Sequence, residues 1–393
     1  MYGLPFGDML MPPSRRLGPG SANHGDWGCT VQRALGEDGV EPGERASPAN
    51  SSYATRPFAP SWVDHVMAGI ERLAGPVWAF YLSLWLAGIA VVAVVRWLDG
   101  SLAFPEVDLY QAASTFYGPA ALGLLHLLQT VAGSSMKAFR PALDGDEQEY
   151  ARLAYELTTI PAGGALLATG FGLLAAVAAV AFDSTILAEE SISLAASIII
   201  LAVIYWAVVI VPIVLYNTVR QLRLVTTIHR LATRIDLFQP QPLYAFSALS
   251  ASAGVGLLLF NYYSALTDPT TFTNPIWYAV FGISVIVAGA FFVLPLLGMH
   301  RRIAGEKQRL LAEANERLRV TIADLHRQVD ERDTREADTL SKTMSSLVLE
   351  RQILEKMPTW PWQADAFRGF LTALVLPIVL WLITRILERV AIV

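Results

Sequence analysis

His126 and Gln129 stand three residues apart in LGLLHLLQTVAG, a stretch with no other titratable group. At that spacing they share one face of a helix. An imidazole beside an amide is suited to accept a proton or to hold a small polar solute. Asn261, in FNYYSAL, adds an uncharged polar group in a second apolar stretch, and Ser252 lies nine residues before it. These form the candidate intramembrane polar site: His126, Gln129 and Asn261. The plainer reading of a lone histidine among apolar helices is a hydrogen bond to a neighbouring helix, and it is the commoner case.

Other chemistries lack their residues. No second histidine, carboxylate or cysteine lies in another apolar stretch and no His-Glu-x-x-His spacing occurs, so no metal is expected. The single cysteine, Cys29, excludes an internal disulfide framework. Gly282-Ile283-Ser284 matches only part of a serine-nucleophile motif: the following glycine is missing, and His300 lies beyond the apolar stretch. Neither a phosphate-binding loop nor a dinucleotide fingerprint is present. The expectation is a protein that is not an enzyme and carries no cofactor.

The elements that would position these groups follow from hydropathy. The chain of 393 residues is 54% hydrophobic and 16% charged, with a mean hydropathy of +0.44, a balance that water-soluble domains seldom reach. A net charge of -5 provides no basic field for nucleic acid. Residues 1–60, rich in Gly, Pro and Ser, read as a disordered tail. Beyond them, uncharged stretches approach or reach the roughly 20 residues needed to cross a bilayer. They are Pro76–Val95, Tyr110–Ala132, Ile160–Phe182, Ser193–Tyr216, Leu243–Leu266, Pro275–Leu297 and the shorter Phe370–Ile383. The predicted fold class is therefore all-α: a polytopic transmembrane helix bundle of six or seven spans, six of them over 61–300 and the seventh candidate in a C-terminal membrane segment at 358–393.

Lysine and arginine set the orientation, because basic loops stay on the cytoplasmic side. Lys137, Arg140 and Arg152 flank one junction, and Arg220, Arg223, Arg230 and Arg234 another, where 217–238 reads as a basic amphipathic helix. The loops DSTILAEES and TDPTTFTN contain neither residue. This alternation predicts a cytoplasmic N-terminus and a plasma membrane, of the bacterial inner-membrane kind. Arg385 and Arg389 would then lie outside if the last segment crosses, or snorkel to the interface if it does not.

Residues 301–357 are rich in ions and helix formers. Leu311, Leu318 and Leu325 recur at seven, with Asn315, Ile322 and Val329 four residues after each, and a second row runs Ala337, Leu340, Met344, Leu347 and Leu354. Folding at DERDTREAD would pair the rows in a cytoplasmic helical hairpin, a coiled-coil insertion before the last span. Pro358 and Pro361 stop the helix, and Trp360 and Trp362 serve as interfacial anchors. Leu311, Leu318, Leu325, Leu340, Leu347 and Leu354 are the candidate interaction seam.

Small residues mark contact faces. Gly164, Ala168, Gly172 and Ala176 fall four apart, as do Ala248, Ser252 and Gly256. The functional expectation is an integral membrane scaffold or signal-relay protein, partnered by the lipid bilayer and by another protein or a second copy through the projection. The alternative is a transporter or channel for an uncharged or small solute.

Overall fold

The structure is a computed structural model that describes residues 56–143, 146–182, 192–232, 235–267, 275–331, 337–375 and 379. The predicted tail up to residue 55, the loops at 183–191 and 268–274, Arg234, Arg385 and Arg389 lie outside the described residues. Among those described, all regular structure is helical and there is no strand.

Helix α1 (Trp62–Glu71) starts at a reciprocal cap: the Ser61 backbone donates to Asp64 at 2.8 Å and the Asp64 backbone donates to the Ser61 hydroxyl at 3.2 Å. Gly75-Pro76 separates it from α2 (Val77–Asp99), which ends at Gly100 in the left-handed conformation, φ 78°. The short α3 (Leu109–Ser114) is capped by Asp108, which also accepts from Arg96 at 2.9 Å. Then follow α4 (Tyr117–Phe139), α5 (Glu147–Thr158), α6 (Ala162–Phe182), α7 (Leu194–Leu231), α8 (Ser247–Thr267), α9 (Pro275–Asp330) and α10 (Ala337–Lys356). Residues 364–375 are helical again.

Five helices, α2, α6, α7, α8 and α9, are long and apolar enough to cross a membrane. The predicted span Tyr110–Ala132 is not among them, and the chain breaks there at Thr115–Phe116, between α3 and α4. The reason is position. Leu125, Leu128, Ala132, Met136 and Phe139 of α4 are all fully buried. A helix that faces protein on most sides needs less hydropathy than one that faces lipid. The outward side of α6 shows the opposite pattern, with Leu167 79% exposed and Leu174 72% exposed, while Asn217 and His229 are buried on α7. Apolar outside and polar inside is the distribution of a membrane-embedded bundle.

Helices α6 and α7 pack antiparallel: Gly164 faces Tyr216 near one end of the contact, and Gly172 faces Val209 further along. Gly118 of α4 lies under the Trp206 ring, and Gly256 of α8 under Leu124. On α8, Ala248 and Ser252 are only half-buried, and it is Ala251, Gly254 and Leu258 that face α9. Helix α7 runs without interruption past Tyr216 to Leu231, so the basic segment from 217 is its continuation rather than a separate element. The junction marked by Arg140 and Arg152 contains α5. Arg140 pairs there with Glu147, holding that carboxyl below its ordinary value by hydrogen bond and charge.

Helix α9 also outruns its apolar part. Helix α10 returns along it, antiparallel, with Leu354 and Ala314 buried between them. An aromatic ladder ties the chain that follows α10 back to α9. His300 stacks on Trp360 at 4.1 Å, Trp360 on Trp362 at 4.6 Å, Trp362 on Phe292 at 5.7 Å, and Phe292 on Phe370 at 4.5 Å. The two tryptophans read as interfacial anchors are thus stacked on protein.

Candidate functional site

The three residues of the candidate polar site fall in two places. His126 lies between α1 and α2: its Nδ1 is 3.1 Å from the Tyr81 hydroxyl and its Nε2 is 3.3 Å from the Glu71 carboxylate. An ionised Glu71 can only accept, so Nε2 carries the hydrogen, and in the neutral imidazole Nδ1 then accepts from Tyr81. One turn further along α4, the Gln129 amide donates to Asp64 at 2.8 Å, and Asp64 also accepts from the Ile160 backbone at 3.1 Å. Asn261 is elsewhere. Its amide donates to the Leu257 carbonyl at 2.9 Å and its oxygen accepts from Ser284 at 3.0 Å, joining α8 to α9.

The geometry around His126 does mechanical work. Asp64 and Glu71, seven residues apart on α1, each hold one side chain of α4, and Val63 and Met67 of the same helix pack in the apolar core shared with Ala121, Leu125 and Ile160. The sequence reading missed α1 and both carboxylates; the Ser61-x-x-Asp64 pattern ahead of apolar residues was the available signal. His126→Phe is expected to remove both imidazole contacts, worth about 1 to 1.5 kcal/mol together. Backbone hydrogen exchange over 62–71 should then rise about tenfold. Unchanged exchange there would show that α1 is held by its apolar face alone.

The candidate seam is displaced by one residue at its centre. Leu311, Leu318, Leu325, Leu340 and Leu347 are half-buried and Leu354 is buried, but Asn315 and Val329 are exposed and Ala314 takes the interior position. Turned outward are Val320, Leu349 and Ile353.

Three cations close three helix C-termini, where the last carbonyls have no helical donor and carry partial negative charge. Arg220 of α7 donates to the Glu156 and Thr159 carbonyls at the end of α5. Arg302 of α9 donates to the carbonyls of His229 at 2.6 Å, Arg230 at 3.2 Å and Ala232 at 2.8 Å, at the end of α7. Lys307 donates to Glu355 at 2.7 Å and Met357 at 2.8 Å, at the end of α10. In the sequence Arg220 reads as an orientation signal and Arg302 and Lys307 as part of the ion-rich stretch; the carbonyl partners come from other helices and leave no local pattern. No known protein family, curated protein or solved structure matches the chain.

Proposed function

We propose that the protein is an integral membrane scaffold or signal relay that engages a partner, another protein or a second copy, through the projection formed by α9 and α10. One observation carries this reading: within five residues of α9, Arg302 grips the end of α7 and Lys307 grips the end of α10. A displacement of α7 against its neighbours is therefore passed to the projection through one stiff helix. Its 56 residues make a rod about 84 Å long, and a hydrocarbon core of about 30 Å leaves more than half of that outside.

The proposal includes the topology. Helix α4 lies along α8 from Tyr117, near Thr267, to Phe139, near Phe246, and so counts as a sixth crossing; the segment from Phe370 is the seventh candidate. Arg220, Arg230, Arg301 and Arg302 gather at the end that bears the projection, which supports a cytoplasmic location for it, an N-terminus on the same side and a bacterial plasma membrane. The transporter alternative finds no common chamber among the described residues, since His126 and Gln129 face α1 and α2 while Asn261 faces α9.

Photo-crosslinking amino acids at Val320 and Leu349, both outward, are expected to give discrete adducts in cells, with none from the lipid-facing Leu174. The absence of any adduct, or deletion of 312–346 with unchanged cellular behaviour, would sink the proposal.

A further inference from the structure

A cavity of about 260 Å³ lies between α4, α7, α8 and α9. It is lined chiefly by apolar side chains, among them Leu124, Val211, Leu257 and Phe291, and it is open on one side. Leu215 lines it and is 42% exposed, which sets the mouth on the outer flank of α7, within its apolar stretch. On α8 the lining runs from Ala253 to Ser264, a length of about 16 Å at the helical rise, close to half of a hydrocarbon core about 30 Å thick. A cleft of that length and volume accommodates an extended chain.

Three of the four polar lining residues gather at one end; the fourth, Thr218 of α7, donates its hydroxyl to the Val214 carbonyl at 2.8 Å. Tyr117, Asn261 and Ser264 line it there, in the turns nearest the ends of α4 and α8 that lie away from the projection. One Asn261 amide hydrogen donates to Leu257; an amide nitrogen has two, so the other remains available. Pro295 adds a further feature at the wall: it offers no N–H to the carbonyl of Phe291, four residues back.

We infer that this cavity holds one fatty-acyl chain of a bilayer phospholipid, entered sideways past Leu215, with the ester at the Asn261–Ser264 end. The occupant follows from the surroundings: the cleft lies against α7, α8 and α9, which are apolar and long enough to cross a membrane, it is about one leaflet long, and hydrogen-bonding groups suited to an ester carbonyl lie at its Asn261–Ser264 end. The inference goes beyond the scaffold reading and stands whether or not the projection has a partner.

The test uses the full chain in phosphatidylcholine nanodiscs that contain a phosphatidylcholine with a diazirine on its acyl chain. After illumination, peptide mapping is expected to find label on the interior residues Leu257, Phe260 or Phe291 as well as on lipid-facing Leu167 and Leu174. Leu257→Trp, and separately Ala121→Leu, should cut interior label at least tenfold and leave the lipid-facing label unchanged. If neither variant folds, the wild-type map still decides: label confined to lipid-facing residues overturns the inference. Interior label that persists undiminished in a folded plugged variant overturns it too.

Discussion

Gly172→Ala is expected to destabilise the bundle by about 1 to 3 kcal/mol, with Gly172→Leu at or beyond the upper end. A Cβ at this position would stand 2.7 Å from the Val209 Cα, 2.9 Å from the Val209 carbonyl oxygen and 3.0 Å from that of Val208. All three are backbone atoms, so no side-chain rotation relieves the contact. The close approach has a local cause. Pro212 provides no N–H to the Val208 carbonyl, and the bare oxygen is turned toward the glycine of α6. Lipid supplies no hydrophobic drive between helices, so the lost van der Waals contact is not regained elsewhere. At Gly170, two residues earlier, an added Cβ would meet nothing within 4 Å, and Gly170→Ala should be neutral or slightly stabilising. Denaturant titration of both variants in mixed micelles reads the difference. Equal stability would mean that α6 and α7 are held by something other than backbone proximity.

Arg302→Met is expected to cost about 1.5 to 3 kcal/mol at the junction of bundle and projection. Methionine keeps much of the apolar stem but removes the guanidinium that serves three carbonyls at the end of α7. Those carbonyls lose their donor and the negative end of the helix loses its counter-charge. Arg302→Lys should recover only part, because the three carbonyls converge on Nη1 at the tip of the guanidinium and the shorter lysine side chain stops short of that point. Hydrogen exchange should rise over 226–232 and around 300–306, with exchange over 62–71 unchanged. Exchange that rises uniformly through the chain would identify Arg302 as a general stability determinant and would deprive the relay of its joint.

Much of the fold was legible because lipid imposes a simple demand. The runs Pro76–Val95 and Ile160–Phe182 match α2 and α6 to within a few residues, since a helix that turns most of its surface to hydrocarbon must be apolar throughout. The stripe Gly164, Ala168, Gly172 was readable for the same reason: small residues at a spacing of four admit a neighbouring backbone. Hydropathy says less where protein replaces lipid. Helix α4, enclosed by its neighbours, carries His126, Gln129 and two serines, so hydropathy misplaced its start. Helix α1 is ten residues long, too short to announce a crossing, yet it brings Asp64 and Glu71 to α4.

The sequence by itself determined which segments are helical and greasy, that the described fold is all-α, and which end of it collects arginine. Each of these depends on residues close together in the chain and on the solvent they meet. Tertiary structure alone decided that His126 pairs with Glu71 and Tyr81 while Asn261 pairs with Ser284, and that Ala314 rather than Asn315 faces α10. It alone decided that Arg220, read in the sequence as an orientation signal, and Arg302 of the ion-rich stretch close the ends of other helices. Such contacts join residues 23 to 73 positions apart, and helical periodicity specifies a face without specifying what that face meets.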